Sequence, residues 1–282
     1  MRGKCQLYLR DEELLNSHII PKFVYDYTKS TGSPYLRAFS KPNVRLQDGP
    51  KRYLLCNEAE QEFSKRERWF ANNIFFPYQK DEKYAFDYDE NLGYFIISVL
   101  WRMLTQQIPH ESIKKNPQLD FLSDVAEEWR IFLADGKVPS KYVDMNMMLT
   151  HRLAHNSPNI PKADYYFSRM IDATIVTDED CSTVAVYVKF LRFTIWSVVK
   201  GSPTNGDGLK VNFGNGNLKA PQFFADNFMG GFFGHRIHEV NSLPKMNAQQ
   251  EQKVIQEIMK SEGRFWDSDA GQAMLNDYRV SK

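Results

Sequence analysis

No apolar run in this chain reaches the roughly 18 residues that a membrane-spanning helix needs, so no membrane partner is expected. Cysteine is scarce: three in 282 residues, an odd number at spacings that build no disulfide framework, which argues against a stapled secreted fold. Met1 to Arg10 is charged and lacks the apolar centre of a signal peptide, so a cytoplasmic protein is expected. Neither sign of charge dominates, with 36 Lys and Arg against 35 Asp and Glu. No Gly-x-Ser-x-Gly or Ser-His-Asp arrangement is present, so nothing points to hydrolase chemistry of that kind. The glycines between Gly201 and Gly216 lack the order of Gly, Lys and Ser/Thr that cradles phosphates, and they read as turns.

What the chain has is apolar mass. A hydrophobic content of 42%, with 14% aromatic residues, suffices for a packed core and excludes a disordered protein. The length allows one large domain or two smaller ones. Charge is unevenly shared: residues 1–80 hold 14 Lys and Arg against 9 Asp and Glu, and the remainder 22 against 26. A modestly basic first segment suits phosphate contact, because neutralised phosphates release counterions.

Along the chain, Gln6 to Leu9 and His18 to Ile20 read as strands closing a small hairpin, and Lys22 to Tyr27 continues with alternating aromatics. Ser30 to Pro34 is a turn, and Lys41 to Pro50 brackets a basic loop containing Arg45, followed at once by Lys51 and Arg52. Asn57 to Ile74 has the 3.6-residue period of a helix. After a charged approach, Lys80 to Glu90, Asn91 caps a helix through Gln107 that is apolar almost all round and therefore buried. Asp120 to Ala134 is a further helix, stopped by Asp135-Gly136.

Tyr165 to Val176, Thr183 to Val199 and Leu209 to Phe213 are rich in strand formers. Thr183 to Val199 is long for one strand, and a strand followed by a buried helix fits it as well. Cys181 reads as a small buried hydrophobe. Ala248 to Glu262 and Ala270 to Arg279 close the chain as helices. His151 and His155 share a helical spacing but lack the Glu of a zincin, and His235 to His238 reads as a surface strand.

Two motifs carry chemistry. Ser17-His18-Ile19-Ile20-Pro21 is followed by Leu54-Leu55-Cys56-Asn57-Glu58-Ala59-Glu60, with Cys5 standing ahead of both. The pair resembles an HNH (His-Me finger) zinc-knuckle nuclease module, and Ser98-Val99-Leu100-Trp101-Arg102 matches a Leu-Trp-Arg segment of bacterial proteins labelled HNH endonuclease. The resemblance runs from about Cys5 to Arg102. It implies an α+β fold: a small ββα His-Me-finger-like module over residues 1–80, then a helical and antiparallel β domain over 81–282.

The resemblance also implies His18 as the base that deprotonates water and Glu60 as the holder of Mg²⁺ or Mn²⁺, since a hard cation prefers oxygen. Arg45, Lys51, Arg52, Lys65 and Arg66 would then contact nucleic acid, DNA rather than RNA, in a setting such as anti-phage defence. Tyr8 and Ala59 stand where the pattern has its second and fourth cysteines. Cys5 and Cys56 alone do not close a four-coordinate site, so structural zinc is not expected. A disulfide between them is the weaker alternative for a cytosolic chain. The same loss keeps open a second reading, an inactive nuclease fold that binds a protein or nucleic acid partner.

Overall fold

The computed structural model describes residues 1–80, 83–154, 162–260 and 262–280. Strand β1 (Arg2–Lys4) pairs antiparallel with β2 (Asp11–His18), and the chain between them turns back on itself through Leu9 N–H to Cys5 O. Gln6 to Leu9 is therefore this turn and not a strand; Leu9 takes the left-handed conformation that a turn requires. Pro21 ends the extended segment and precedes α1 (Lys22–Ser30). The alternating aromatics expected in a strand instead place Val24, Tyr25 and Tyr27 on the inner face of a helix, a pattern that a short window leaves ambiguous.

Strands β3 (Leu36–Ala38) and β4 (Lys41–Leu46) form a small hairpin where a loop was expected. The chain then returns as β5 (Lys51–Cys56), which pairs with β2 so that His18 faces Lys51 and Leu14 faces Cys56.

Helix α2 (Asn57–Phe70) starts directly from β5, with Glu58 and Glu60 in its first turn, where carboxylates favour the positive end of the helix dipole. It runs through a π-helical turn at Ala71–Phe75 into α3 (Phe76–Lys80). Strand β6 (Ala85–Tyr88) lies within the expected linker, and α4 (Glu90–Gln107) is capped by the Asp89 carboxylate accepting from Asn91 N–H, two positions earlier than the expected Asn91 cap. Short α5 (Glu111–Lys114) leads to α6 (Leu122–Asp135), which stops at Gly136 with φ 72°, as the Asp-Gly pair predicts.

The second half is built on a four-stranded antiparallel sheet, ordered β7 (Asp144–Leu149), β10 (Phe193–Lys200), β9 (Val184–Phe190), β8 (Ile171–Thr177). Tyr165 to Val176 divides into α7 (Ala163–Arg169) and β8, and Thr183 to Val199 is the β9–β10 hairpin. Both β9 and β10 are buried on both faces, which erases the alternation that identifies a half-buried strand. Leu209 to Phe213 runs beside β7 through a single bridge, Asn146 to Lys210, and forms no strand of its own.

Short strands β11 (Gly206–Asp207), β12 (Gly216–Lys219) and β13 (Phe223–Phe224) follow, β12 pairing with β6. The chain ends in α8 (Asn227–Ser242), α9 (Ala248–Met259), α10 (Glu262–Trp266) and α11 (Asp269–Val280). His235 to His238 lies in α8, not in a surface strand; His151 follows β7 outside any helix, and His155 lies outside the described residues.

Helix α4 is the central element. It packs on α2 and α6 and also on β8, β9 and β10. Phe70 of α2 stacks on Phe95 of α4 with centroids 4.0 Å apart, and Phe190 and Phe193 close the edges of that pair. The largest hydrophobic cluster accordingly takes residues from both sides of position 80. A smaller cluster on the other sheet face joins Tyr187 and Trp196 to Met229 and Phe233 of α8. The fold is α+β, with antiparallel sheets and helices covering them.

Candidate active site around His18

His18 is the last residue of β2, and its backbone register against Lys51 brings the start of β5 beside it. The segment joining the two strands ends in Asp48-Gly49-Pro50, and Ile19 N–H on Pro50 O closes it. Its last acidic side chain returns to the histidine: Asp48 Oδ1 lies 2.9 Å from His18 Nε2. Gly49 N–H donates to the same oxygen at 2.8 Å, and Lys51 Nζ lies 2.6 Å from Oδ2. Gly49 is required here, since a Cβ would stand 2.0 Å from the ring of Tyr25, which also lies against His18 with centroids 5.9 Å apart. Burial works to raise the Asp48 pKa, but the hydrogen bonds from Lys51, His18 and Gly49 outweigh it and hold the carboxyl well below its ordinary range.

An ionised carboxylate only accepts, so Nε2 of a neutral His18 carries the proton and Nδ1 keeps its lone pair. Among the described residues nothing hydrogen-bonds to Nδ1, and the side chain is 15% exposed. The arrangement is an imidazole oriented by a carboxylate, with a second ring nitrogen left able to accept a proton.

The backbone of His18 is held as firmly as its ring. Arg102, on the otherwise apolar α4 and 2% exposed, donates from Nη1 to His18 O at 3.0 Å and from Nε to Ser98 O at 3.1 Å. Its Nη2 lies 2.8 Å from Oε1 of Glu67, and the guanidinium sits over the Phe63 ring. Burial raises the Glu67 pKa, Arg102 opposes that shift, and Glu60 adds to it. Glu60 and Glu67 are seven positions apart on α2, close to two full turns, and so share one helix face. Glu60 Oε1 is buried without a hydrogen-bond partner. A buried carboxylate oxygen with no donor suits a hard cation, and the residues present fit Mg²⁺ or Mn²⁺ in that respect. Among the described residues, no three His, Cys, Asp or Glu side chains are grouped as a metal site.

Of the basic candidates, Lys51 is brought to His18. Arg52 is exposed on β5, its side chain donating to Lys51 O. Arg45 pairs with Glu257 of α9 at 2.7 Å and lies over Tyr35. Lys65 pairs with Glu62 on the outer face of α2. Arg66 reaches Asn91 and lies over Tyr94, lining a cavity of about 430 Å³ with Tyr8, Glu62, Phe132 and Phe213, on the side of α2 away from Glu60 and Glu67. These five residues therefore form no single basic face.

Cys5 and Cys56 do meet: Cys56 N–H donates to Cys5 Sγ at 3.3 Å, both residues are fully buried, and both thiols are free, so the alternative disulfide is absent. Burial pushes the Cys56 thiol pKa up. Ala59 is buried beside them and Tyr8 packs against the same core.

Asp48, Glu67, Arg102 and Tyr25 were not among the candidates. Arg102 carried a usable signal, because an arginine in a helix apolar all round demands a buried acceptor. Asp48 carried none, lying in a loop far along the chain from His18. No protein-family model, no curated protein and no solved structure matches this chain. No helix among the described residues is long and apolar enough to cross a membrane.

Proposed function

We propose that this protein is an HNH-like nuclease that cleaves a phosphodiester with His18 as general base. The observation that carries the reading is the His18–Asp48 pair at the end of β2, followed in the chain by β5 and α2 in ββα order. Asp48 fixes the imidazole and leaves Nδ1 to accept the proton of an attacking water. Arg102 holds the strand end in place through His18 O. Glu60 is the residue that would hold Mg²⁺ or Mn²⁺; when bound, the cation would neutralise phosphate charge. Lys51 stands beside Asp48, where a phosphate oxygen near His18 would meet it. Cleavage of DNA and RNA by the purified protein, compared with His18→Ala, tests the reading.

A second reading, a nuclease-derived binding module, is favoured by one observation. Arg45, Lys65 and Arg66 are turned to intramolecular partners in three different directions and do not line a path to His18. It predicts retained binding of a protein or nucleic acid without turnover.

A further inference from the structure

Where α2, α4 and the end of α6 meet, three aromatic side chains follow one another. Tyr94 lies against Phe132 with centroids 5.8 Å apart, and Phe132 meets Phe213 edge to face at 4.9 Å. With Tyr8 they line the cavity of about 430 Å³ beside α2, a volume within the range of small-molecule sites, about 300–1,000 Å³. Tyr94 Oη is committed to Leu133 O at 2.8 Å, so that ring offers the cavity its body and not its hydroxyl.

The rest of the wall favours positive charge. Glu58 and Glu62, one turn apart on α2, and Glu90 at the start of α4 line it, and Arg66 is its single basic side chain. Glu58 pairs with Arg10 and Glu62 with Lys65, but both cations are exposed and stand outside the lining, where such pairs are screened. Glu90 has no ion pair among the described residues. Leu133, Ala134 and Gly136 bring the C-terminal end of α6 to the same wall, and its last turn has no basic residue to offset the negative end of the helix dipole. Burial raises the Tyr8 pKa and the charges of Glu58 and Glu62 raise it further, so both carboxylates act on a ring of this cavity. Arg66 is itself held as an organic cation: its guanidinium lies over Tyr94, 5.0 Å from the centroid, while Nη1 donates to Asn91.

We propose that the space beside Arg66 binds a quaternary ammonium group. Its charge answers the carboxylates and the helix end, and its methyl groups pack on Phe132, Phe213 and Val138 without needing an acceptor. A primary ammonium is a compact, strongly hydrated charge and would leave water for a wall that is largely aromatic. The site lies on the side of α2 away from Glu60 and Glu67 and does not depend on nuclease activity.

The test is isothermal titration of the full chain at constant ionic strength with choline and with ethanolamine, which has the same charge and skeleton without the methyl groups. A short peptide carrying trimethyllysine is titrated beside them. The proposal predicts saturable binding of choline or the peptide, the tighter of the two showing whether a small molecule or a modified chain is the source, and ethanolamine weaker by about tenfold. Phe213→Leu keeps apolar volume but removes a ring, and should weaken the methylated probe about three- to tenfold. Glu90→Gln, at an exposed position that leaves the core untouched, should weaken it about two- to threefold. Absence of saturable binding by both methylated probes overturns the proposal. So does equal affinity for ethanolamine, which marks attraction to charge alone, or unchanged affinity in folded Phe213→Leu and Glu90→Gln.

Discussion

Asp48 and His18 are 30 positions apart in the chain and 2.9 Å apart in space, joined by a carboxylate–imidazole hydrogen bond. The contact closes the segment between β2 and β5 and orients the ring whose other nitrogen is free among the described residues. Lys51 and Gly49 keep the carboxylate ionised, so orientation and charge come from the same three-residue neighbourhood.

If Asp48 orients a base, Asp48→Asn should slow metal-dependent cleavage less than His18→Ala, which removes the base and should cost about 10²- to 10⁴-fold. Single-turnover rates across pH measure this. A variant lacking His18 that cuts at the parental rate contradicts the assignment.

Asp48 should also make stability pH-dependent. A carboxyl whose folded pKa is depressed contributes fully above its unfolded value, near 3.9, and loses that contribution as pH falls toward the folded value. Urea unfolding of parent and Asp48→Asn should differ by on the order of 1 kcal/mol at neutral pH, a figure kept small because the group is partly exposed. The gap should narrow below about pH 4; a gap independent of pH would show that the charge plays no part.

The Arg102–Glu67 pair is buried beneath the site. Arg102→Met leaves Glu67 without its counter-charge and should cost about 3–5 kcal/mol, and adding Glu67→Leu should restore much of the loss. Chemical denaturation of the single and double variants checks it. Equal destabilisation in both would place the cost in the His18 O contact instead.

Truncating Phe70 removes the ring stacked on Phe95 at the meeting point of α2, α4 and the second sheet. Phe70→Ala should cost about 3–5 kcal/mol. One cooperative transition is expected in both proteins, since the core is continuous across residue 80; two separate transitions would show independent domains.

Much of the fold was legible where one local signal acted alone. The period of Asn57 to Ile74, the all-apolar α4 and the Asp135-Gly136 stop each define an element without help from tertiary structure. The reading failed where burial is symmetric or the window is short. β9 and β10 are covered on both faces, so they show no alternation. Lys22 to Tyr27 has too few residues to separate periods of 2 and 3.6. His18 and Glu60 were accessible as motif positions. Asp48 was not, because its role arises only when the β2–β5 register brings a distant loop to the ring.

The most direct test is Mg²⁺- and Mn²⁺-dependent cleavage of plasmid, linear DNA and RNA by the purified protein, beside His18→Ala and Glu60→Ala. The account predicts cutting that requires the cation and is lost in both variants while their folded spectra match the parent. Absence of cutting by a properly folded parent on every substrate would contradict it and leave the binding-module reading in its place.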